Sequence, residues 1–283
     1  MSRQKMPNLE LWGADMDIEH EDIKYDIKDD KISAYLSKPA DEGRHPGVVL
    51  IHEIFGLDGH IRNVADRLAS EGYVVVAPDL FSSRQLSETL TPKSIGETMK
   101  FIMSMPVDKQ RNEAYRMSEL EKMDEGVRKA IIGAYDTLFV KRPTGLITEY
   151  LSYAVDYLKH LDSVNGKIGS VGFCFGGGMS INLACTGKTE ASVIFYGENP
   201  DPIDKIKNVK GAVMGLYGGE DSRINSGVGE LVRALISFKK GFIVKVYPGA
   251  HHAFFNDTRQ AHFNKAAADD AWKMLLQFYR DNL

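Results

Sequence analysis

The chain has 283 residues, of which 43% are hydrophobic and 26% are charged, a composition typical of a soluble globular protein. A formal net charge of -4 provides no electrostatic footprint for nucleic acid or an anionic membrane, so we expect a small-molecule partner. Two cysteines in unrelated contexts argue against a disulfide framework, and the first residues lack the apolar segment of a secretory signal. These features favour a cytoplasmic protein without a membrane span.

The hydrophobic pattern predicts a hairpin followed by alternating strands and helices. After a weakly patterned leader to about Asp17, segments 22–27 and 31–37 alternate polar and apolar residues, which is typical of an antiparallel hairpin. Buried strands are predicted at 47–52, 74–77, 167–173, 192–196, 212–217 and 242–247. Helices are predicted at 61–70, 146–161, 178–184, 228–238 and about 263–279. This order indicates the α/β class, with a mainly parallel sheet covered by helices on both faces of a single domain, 1–283.

A helical block at 86–141 interrupts the alternation. Thr91-Pro92 is a helix start signal for a first pattern, and a second pattern has apolar residues at steps of three and four between 120 and 138. Two interpretations remain open for this insertion. It is a pair of surface helices packed by one apolar face, or it is a lid over a site, since its many methionines suit varied apolar ligands.

A cysteine stands at the strongest chemical motif of the chain. Cys174 is the centre of Gly-Phe-Cys-Phe-Gly, between a predicted strand and a predicted helix. The Gly-x-nucleophile-x-Gly pattern is that of a nucleophile elbow, in which a residue at a sharp strand-to-helix turn forms a covalent intermediate. The start of the following helix would favour the thiolate through its free N–H groups. Cys185 lacks this context and is expected to be a buried apolar residue.

Acidic and histidine residues follow two later strands in the order that such a nucleophile needs. Asp221 and its neighbour Glu220 come after the strand at 212–217, and His251 and His252 come after the strand at 242–247. The order nucleophile, acid, histidine is that of α/β-hydrolases, in which the acid orients the histidine towards the nucleophile. From the residues alone, either member of each pair is a candidate for its role.

Several stretches together resemble the dienelactone hydrolase family of the α/β-hydrolase superfamily. The similarity runs from about residue 46 to 81 and from about 150 to the last residue, and the cysteine elbow is its most specific part. The resemblance implies an α/β-hydrolase fold and hydrolysis of an ester or lactone. Gly-Gly-Glu-Asp resembles the family's acid loop and assigns that role to Asp221, and His-Ala-Phe assigns the base role to His252.

The same resemblance implies further site residues and no cofactor or metal. Leu-Ile-His-Glu-Ile-Phe-Gly resembles the segment that carries the family's pocket glutamate, here Glu53, and the backbone N–H groups of Ile54 and Phe175 would form the oxyanion hole. Arg84 follows a stretch that resembles the loop before the family's substrate-binding arginine, although two serines precede it where one residue is usual. A second arginine is expected shortly after the histidine, where 254–257 reads Phe-Phe-Asn-Asp.

These departures favour lactone or ester hydrolysis in general over dienelactone itself. A carboxylesterase or thioesterase would use the same catalytic residues. A peptidase is a more distant alternative, and a binding or redox-sensing protein would show thiol reactivity without turnover.

Overall fold

The computed structural model describes residues 16–106, 108–110 and 112–283, so the predicted leader up to residue 15 lies outside the described residues. The strands are β1 (Ile18–Ile27), β2 (Asp30–Pro39), β3 (His45–Ile51), β4 (Val74–Pro78), β5 (Val164–Phe173), β6 (Ala191–Phe195), β7 (Ala212–Gly218) and β8 (Phe242–Tyr247). The α-helices are α1 (Gly59–Ser70), α2 (Arg84–Ser87), α3 (Pro92–Ser104), α4 (Glu113–Leu120), α5 (Glu125–Tyr135), α6 (Thr144–His160), α7 (Phe175–Ala184), α8 (Ser222–Ser237) and α9 (Lys265–Asn282).

The eight strands form one sheet in the order β1-β2-β4-β3-β5-β6-β7-β8. The pairs β1/β2 and β2/β4 are antiparallel, and every pair from β4/β3 to β7/β8 is parallel. This topology confirms the predicted hairpin at one edge of a mainly parallel sheet. The carboxyl ends of the parallel strands therefore meet along one edge of the sheet, where α/β proteins place their sites.

Helices cover both faces of the sheet because residues with opposite orientations on the same strand are equally apolar. Val48 and Leu50 of β3 pack in a cluster with α1 and α9, whereas Val49 and Ile51 pack in a second cluster with α6 and α7. All four side chains are fully buried. At roughly 1.5–3 kcal/mol for each buried aliphatic side chain, such two-sided strands provide much of the hydrophobic stabilisation.

Two helices that frame the site begin earlier than their apolar pattern indicates. Helix α8 starts at Ser222 because the Asp221 side chain caps it by accepting from the N–H of Ile224, although Ile224 is the single apolar residue of its first turn. Helix α7 starts at Phe175, within the glycine-rich stretch. Both starts lie next to predicted site residues, Asp221 and Cys174.

The block at 86–141 is helical but has more segments than the two predicted patterns. The second pattern is divided between α4, α5 and a π-helical turn, Asp136–Val140. Its apolar residues pack in two places. Leu120 and Ile131 pack against Phe101 in a small separate cluster, whereas Ala134 and Leu138 belong to the core cluster on the α6 and α7 side of the sheet. None of the helices in the described ranges is long and apolar enough to cross a membrane.

Candidate active site

Cys174 occupies a strained turn between β5 and α7. Its φ of 54° and ψ of -113° lie in a region that non-glycine residues rarely adopt. The turn requires close backbone contacts, because a Cβ atom on Gly172 would lie 2.0 Å from the carbonyl oxygen of Gly176. A Cβ atom on Gly176 would lie 2.3 Å from the carbonyl oxygen of Ile51. The flanking glycines of the motif are therefore needed to seat the cysteine at this corner.

The three residues predicted to act together are in contact. The Nε2 atom of His252 lies 3.1 Å from Sγ of Cys174, and its Nδ1 atom lies 2.5 Å from Oδ2 of Asp221. Each of them follows a different strand: Cys174 follows β5, Asp221 follows β7 and His252 follows β8. Asp221 is buried and its other carboxylate oxygen caps α8, so the position of the carboxylate is fixed from two sides.

The charges of this trio support one another. Burial alone would lower the pKa of His252, but the negative charge of Cys174 and the hydrogen bond to Asp221 outweigh it and raise that pKa to about 10. Burial likewise acts to raise the pKa of Asp221, and the hydrogen bond and charge of His252 overcome this and lower it. Cys174 and Asp221 therefore both favour the protonated form of His252.

The competing residues of each pair lie away from this contact chain. Glu220 is exposed, and its backbone N–H donates to the carbonyl of Ala250. His251 is also exposed, and its ring faces His262 at a centroid distance of 6.2 Å. The geometry therefore brings Asp221 and His252 to the cysteine, as the resemblance to the family implied.

Both residues predicted to supply oxyanion donors line the cavity that contains Cys174. Phe175 is the first residue of α7, so its N–H belongs to the helix terminus whose donors have no partner within the helix. Ile54 follows β3 by three positions, and both residues line the same cavity as Cys174. Glu53 lines this cavity too and is 3% exposed. The Oε2 atom of Glu53 accepts a hydrogen bond from Nδ2 of Asn256 at 2.6 Å.

Arg84 is not part of the cavity. Its guanidinium donates to the carbonyl of Asp29 at 3.4 Å, and it lines a separate surface groove with Gln85 and Tyr150. The structure thus places the arginine that the resemblance assigned to substrate outside the cavity that contains Cys174. Different arginines line the cavity around Cys174, and sequence reasoning assigned a substrate role to none of them: Arg116, Arg142, Arg223 and Arg259.

Two of these arginines share one carboxylate. Nη1 of Arg142 lies 2.9 Å from Oε2 of Glu198, and Nη1 of Arg223 lies 2.5 Å from Oε1 of the same side chain. Partial burial acts to raise the pKa of Glu198, but the two guanidinium groups prevail and lower it. Arg142 also lies over the ring of Phe175, with 5.5 Å between its Cζ atom and the ring centroid. A cluster with a net positive charge therefore lines the same cavity as Cys174.

The cavity has a volume of about 560 Å³ and is covered in part by the block at 86–141. The block and the π-helical turn contribute mainly apolar or aromatic side chains to its wall: Met99, Ile102, Gln110, Arg116, Tyr135 and Phe139. Met103 does not line the cavity and is 69% exposed. The block thus contributes four apolar or aromatic side chains and Arg116, and the remaining three arginines of the cavity lie outside the block. In residues 16–106, 108–110 and 112–283, no group of three or more His, Cys, Asp or Glu side chains is arranged to hold a metal ion.

Comparisons with known proteins identify the family and the fold. The model of the "Dienelactone hydrolase family" matches residues 32–283. A protein from Saccharolobus solfataricus named "Putative carboxymethylenebutenolidase" is 36% identical over 260 residues, covering 92% of this chain and 97% of the relative.

Two solved structures share the fold. A crystal structure from Klebsiella pneumoniae named "Putative Dienelactone Hydrolase" has a TM-score of 0.73 at 24% identity, covering 93% of this chain and 99% of the other. A dienelactone hydrolase-like promiscuous phosphotriesterase from metagenomic libraries has a TM-score of 0.71 at 19% identity, covering 94% of this chain and 98% of the other. The α/β-hydrolase fold, the extent of the family match and the identity to the archaeal relative lead to one conclusion: the chain belongs to the dienelactone hydrolase family and is a hydrolase.

Proposed function

We propose that the chain hydrolyses ester or lactone bonds through a thioester on Cys174, with His252 as the acid and base and Asp221 as the residue that orients it. The observation that carries this proposal is the continuous contact from Asp221 through His252 to Cys174, which opens on a cavity of about 560 Å³. A nucleophile, a base and an orienting acid in contact are the requirements of covalent acyl transfer.

In the first half of the reaction, the Cys174 thiolate attacks the carbonyl carbon and forms a C–S bond. The C–O bond to the leaving group then breaks, and the His252 imidazolium gives its proton to the leaving oxygen. In the second half, neutral His252 takes a proton from water as the water oxygen attacks the thioester carbon. The C–S bond breaks, the acid leaves, and the thiolate and imidazolium are restored.

The N–H groups of Ile54 and Phe175 would stabilise the negative oxygen of each tetrahedral intermediate. Such donors contribute most when they are aligned before the charge develops, and Phe175 is held by the start of α7. Glu53 would accept a hydrogen bond or proton from the resting thiol of Cys174. The sulfur would become fully reactive when substrate displaces the Glu53 carboxylate. This arrangement would also limit oxidation of the sulfur.

The cavity favours a small substrate with an apolar part and an anionic group. Met99 and Phe139 provide apolar wall, and Arg142 and Arg223 lie on the charged side. The name of the archaeal relative refers to a butenolide, which is a cyclic ester. We therefore assign lactones and small esters that carry a negative charge as the preferred class. Within this proposal, the block at 86–141 acts as a lid that selects the substrate by size.

A panel of lactones and short aryl esters tests the proposal. We expect measurable hydrolysis that is abolished by Cys174→Ala and by alkylation of the thiol, whereas Cys185→Ala should behave like the parent. Cys185 is a matched control because it is buried, and burial raises its pKa to about 12. An esterase or thioesterase would differ only in its preferred substrate within the panel. Thiol labelling without turnover of any compound would instead indicate a binding or redox-sensing protein.

A further inference from the structure

A buried hydrogen bond connects the pocket carboxylate to the loop that carries the catalytic histidine. Nδ2 of Asn256 lies 2.6 Å from Oε2 of Glu53, and the two residues are 203 positions apart in the chain. Glu53 is 3% exposed and Asn256 is 1% exposed. A buried carboxylate needs hydrogen-bond partners, so this contact fixes the position of one Glu53 oxygen.

The orientation of the Asn256 amide is fixed by a second contact. Its Oδ1 atom accepts from the backbone N–H of Thr258 at 3.0 Å and from the Thr258 hydroxyl at 2.6 Å. An amide whose oxygen accepts two hydrogen bonds on one side must present its NH₂ group on the other. Thr258 therefore directs the donor of Asn256 towards Glu53.

The backbone of Glu53 is fixed from the opposite side. The N–H of Leu80 donates to Nε2 of His52 at 3.2 Å, so the ring proton is on Nδ1, which donates to the carbonyl of Glu53 at 2.5 Å. Burial lowers the pKa of His52, in keeping with this neutral form. Both the main chain and the carboxylate of Glu53 are thus held, and no hydrogen bond to Oε1 is found among the described residues.

We propose that Asn256 is a positioning residue, which holds the Glu53 carboxylate in place in the wall of the cavity that contains Cys174. The inference rests on the proposed function for the attack by Cys174. Asn256 is an uncharged donor, so it holds the carboxylate without bringing a positive charge to it. Ionisable groups near Glu53 include His52, whose ring contacts its carbonyl, the buried hydroxyl of Tyr196, and Cys174, His252 and Arg259, which line the same cavity.

The consequence is a restrained thiol in the free protein. A carboxylate fixed in the wall of the same cavity opposes the formation of a second negative charge on the sulfur, and this opposition weakens when the carboxylate loses its donor and turns away. The test is the rate of alkylation of Cys174 by iodoacetamide at pH 7 in Cys185→Ala protein, where the label reports one thiol. Glu53→Gln and Asn256→Leu should each accelerate it about tenfold, the effect that removal of a neighbouring like charge has on ionisation.

The two changes are then combined. If Asn256 acts through Glu53, Asn256→Leu should have no further effect in the Glu53→Gln protein. An equal effect of Asn256→Leu in both backgrounds, or no effect in either, would overturn the inference. The alkylation rate can be measured without hydrolysis of any substrate. Failure of the hydrolysis panel would therefore refute the proposed function without deciding the role of Asn256.

Variants of Thr258 protect the test against a folding defect in Asn256→Leu. Thr258 is exposed, so its replacement has little effect on the core. Thr258→Val removes the hydroxyl donor to Asn256 and should accelerate alkylation, whereas Thr258→Ser retains the donor and should match the parent. Equal rates for these two variants would contradict the role assigned to the Thr258 contact with Asn256.

Discussion

The Nε2 atom of His252 lies 3.1 Å from Sγ of Cys174, although the two residues are 78 positions apart in the chain. The sheet produces this proximity, because β5 and β8 both end at the edge where their loops meet. Asp221 completes the contact chain from the loop after β7. Each member of the trio therefore depends on a parallel strand for its position, and the following predictions test what each one does.

Replacement of the histidine that contacts the cysteine should be far more costly than replacement of its neighbour. We expect His252→Ala to reduce the rate of ester hydrolysis by about 10³ or more, since the residues of a catalytic trio act as a unit. His251→Ala is the matched control, because His251 is exposed and faces His262. Steady-state kinetics on one aryl ester decide the order. A larger loss in His251→Ala would mean that the other histidine is the base.

The pH profile of hydrolysis should have two limbs. Activity should rise from acid pH as the Cys174–His252 pair forms, and the apparent values belong to the pair. It should fall again near pH 10, because the pKa of His252 is raised to about 10 and the leaving group then loses its proton donor. The measurement is kcat/KM from pH 4 to 11. A profile that is flat from acid to neutral pH would contradict a thiol-imidazole mechanism.

The same pKa sets a pH dependence of stability. The pKa of His252 is higher in the folded chain than the value of about 6.5 expected when unfolded, so its pairing contributes fully to stability below about pH 6.5. That contribution should be lost as the pH rises through about 10. Urea unfolding of the parent and of His252→Gln at several pH values measures the difference. An increase from pH 7 to pH 10 in the difference in unfolding free energy between the parent and His252→Gln would contradict this prediction.

Met99 of the insertion should affect selection by substrate size, whereas the nearby Met103 should not. Met99→Ala should change the ratio of rates for a bulky and a small acyl ester by about tenfold, since a few methylenes in an apolar pocket have effects of this order. Met103→Ala should leave the ratio unchanged, because Met103 is 69% exposed and lies outside the cavity. Two esters that differ only in acyl size provide the readout. An unchanged ratio in Met99→Ala would mean that the block is not a lid.

The two arginines that pair with Glu198 should favour substrates that carry a negative charge. Arg142→Gln combined with Arg223→Gln should reduce kcat/KM for a carboxylate-bearing aryl ester about tenfold, as the loss of charged hydrogen bonds implies. The rate for a neutral ester of equal size should be retained. Arg84→Gln is the control, since Arg84 lies in a separate groove. Equal losses for both esters would refute a role in charge recognition.

Local motifs and the family resemblance made the fold and the contact among Cys174, His252 and Asp221 predictable. Continuous apolar strands separated by helices identified the parallel sheet, and the topology then required the residues after β5, β7 and β8 to share an edge. The elbow identified Cys174 because its glycines are a steric necessity of the turn. The choice of His252 over His251 came from family resemblance and not from spacing, since both follow the same strand.

The substrate side of the site was much less predictable. Arg142 and Arg223 belong to no motif, and only the packing of the insertion and α8 against the loop of Glu198 brings them together. Arg84 was assigned by a loose alignment and instead contacts Asp29 in the hairpin loop. Asn256 stands where an arginine was expected, and its contact with Glu53 spans 203 positions. Tertiary contacts of this range leave no periodic signal in a sequence.

The proposed reaction requires transfer of an acyl group from the substrate to Cys174. Rapid acid quenching of the protein with an aryl ester, followed by peptide mass spectrometry, tests it directly. We predict an acyl adduct on the peptide that contains Cys174, formed within the first turnover and absent in Cys174→Ala. The adduct should accumulate when His252 is replaced, because the thioester then lacks the base for its hydrolysis. Product release by the parent without any adduct on Cys174, or an adduct on another residue, would contradict the account.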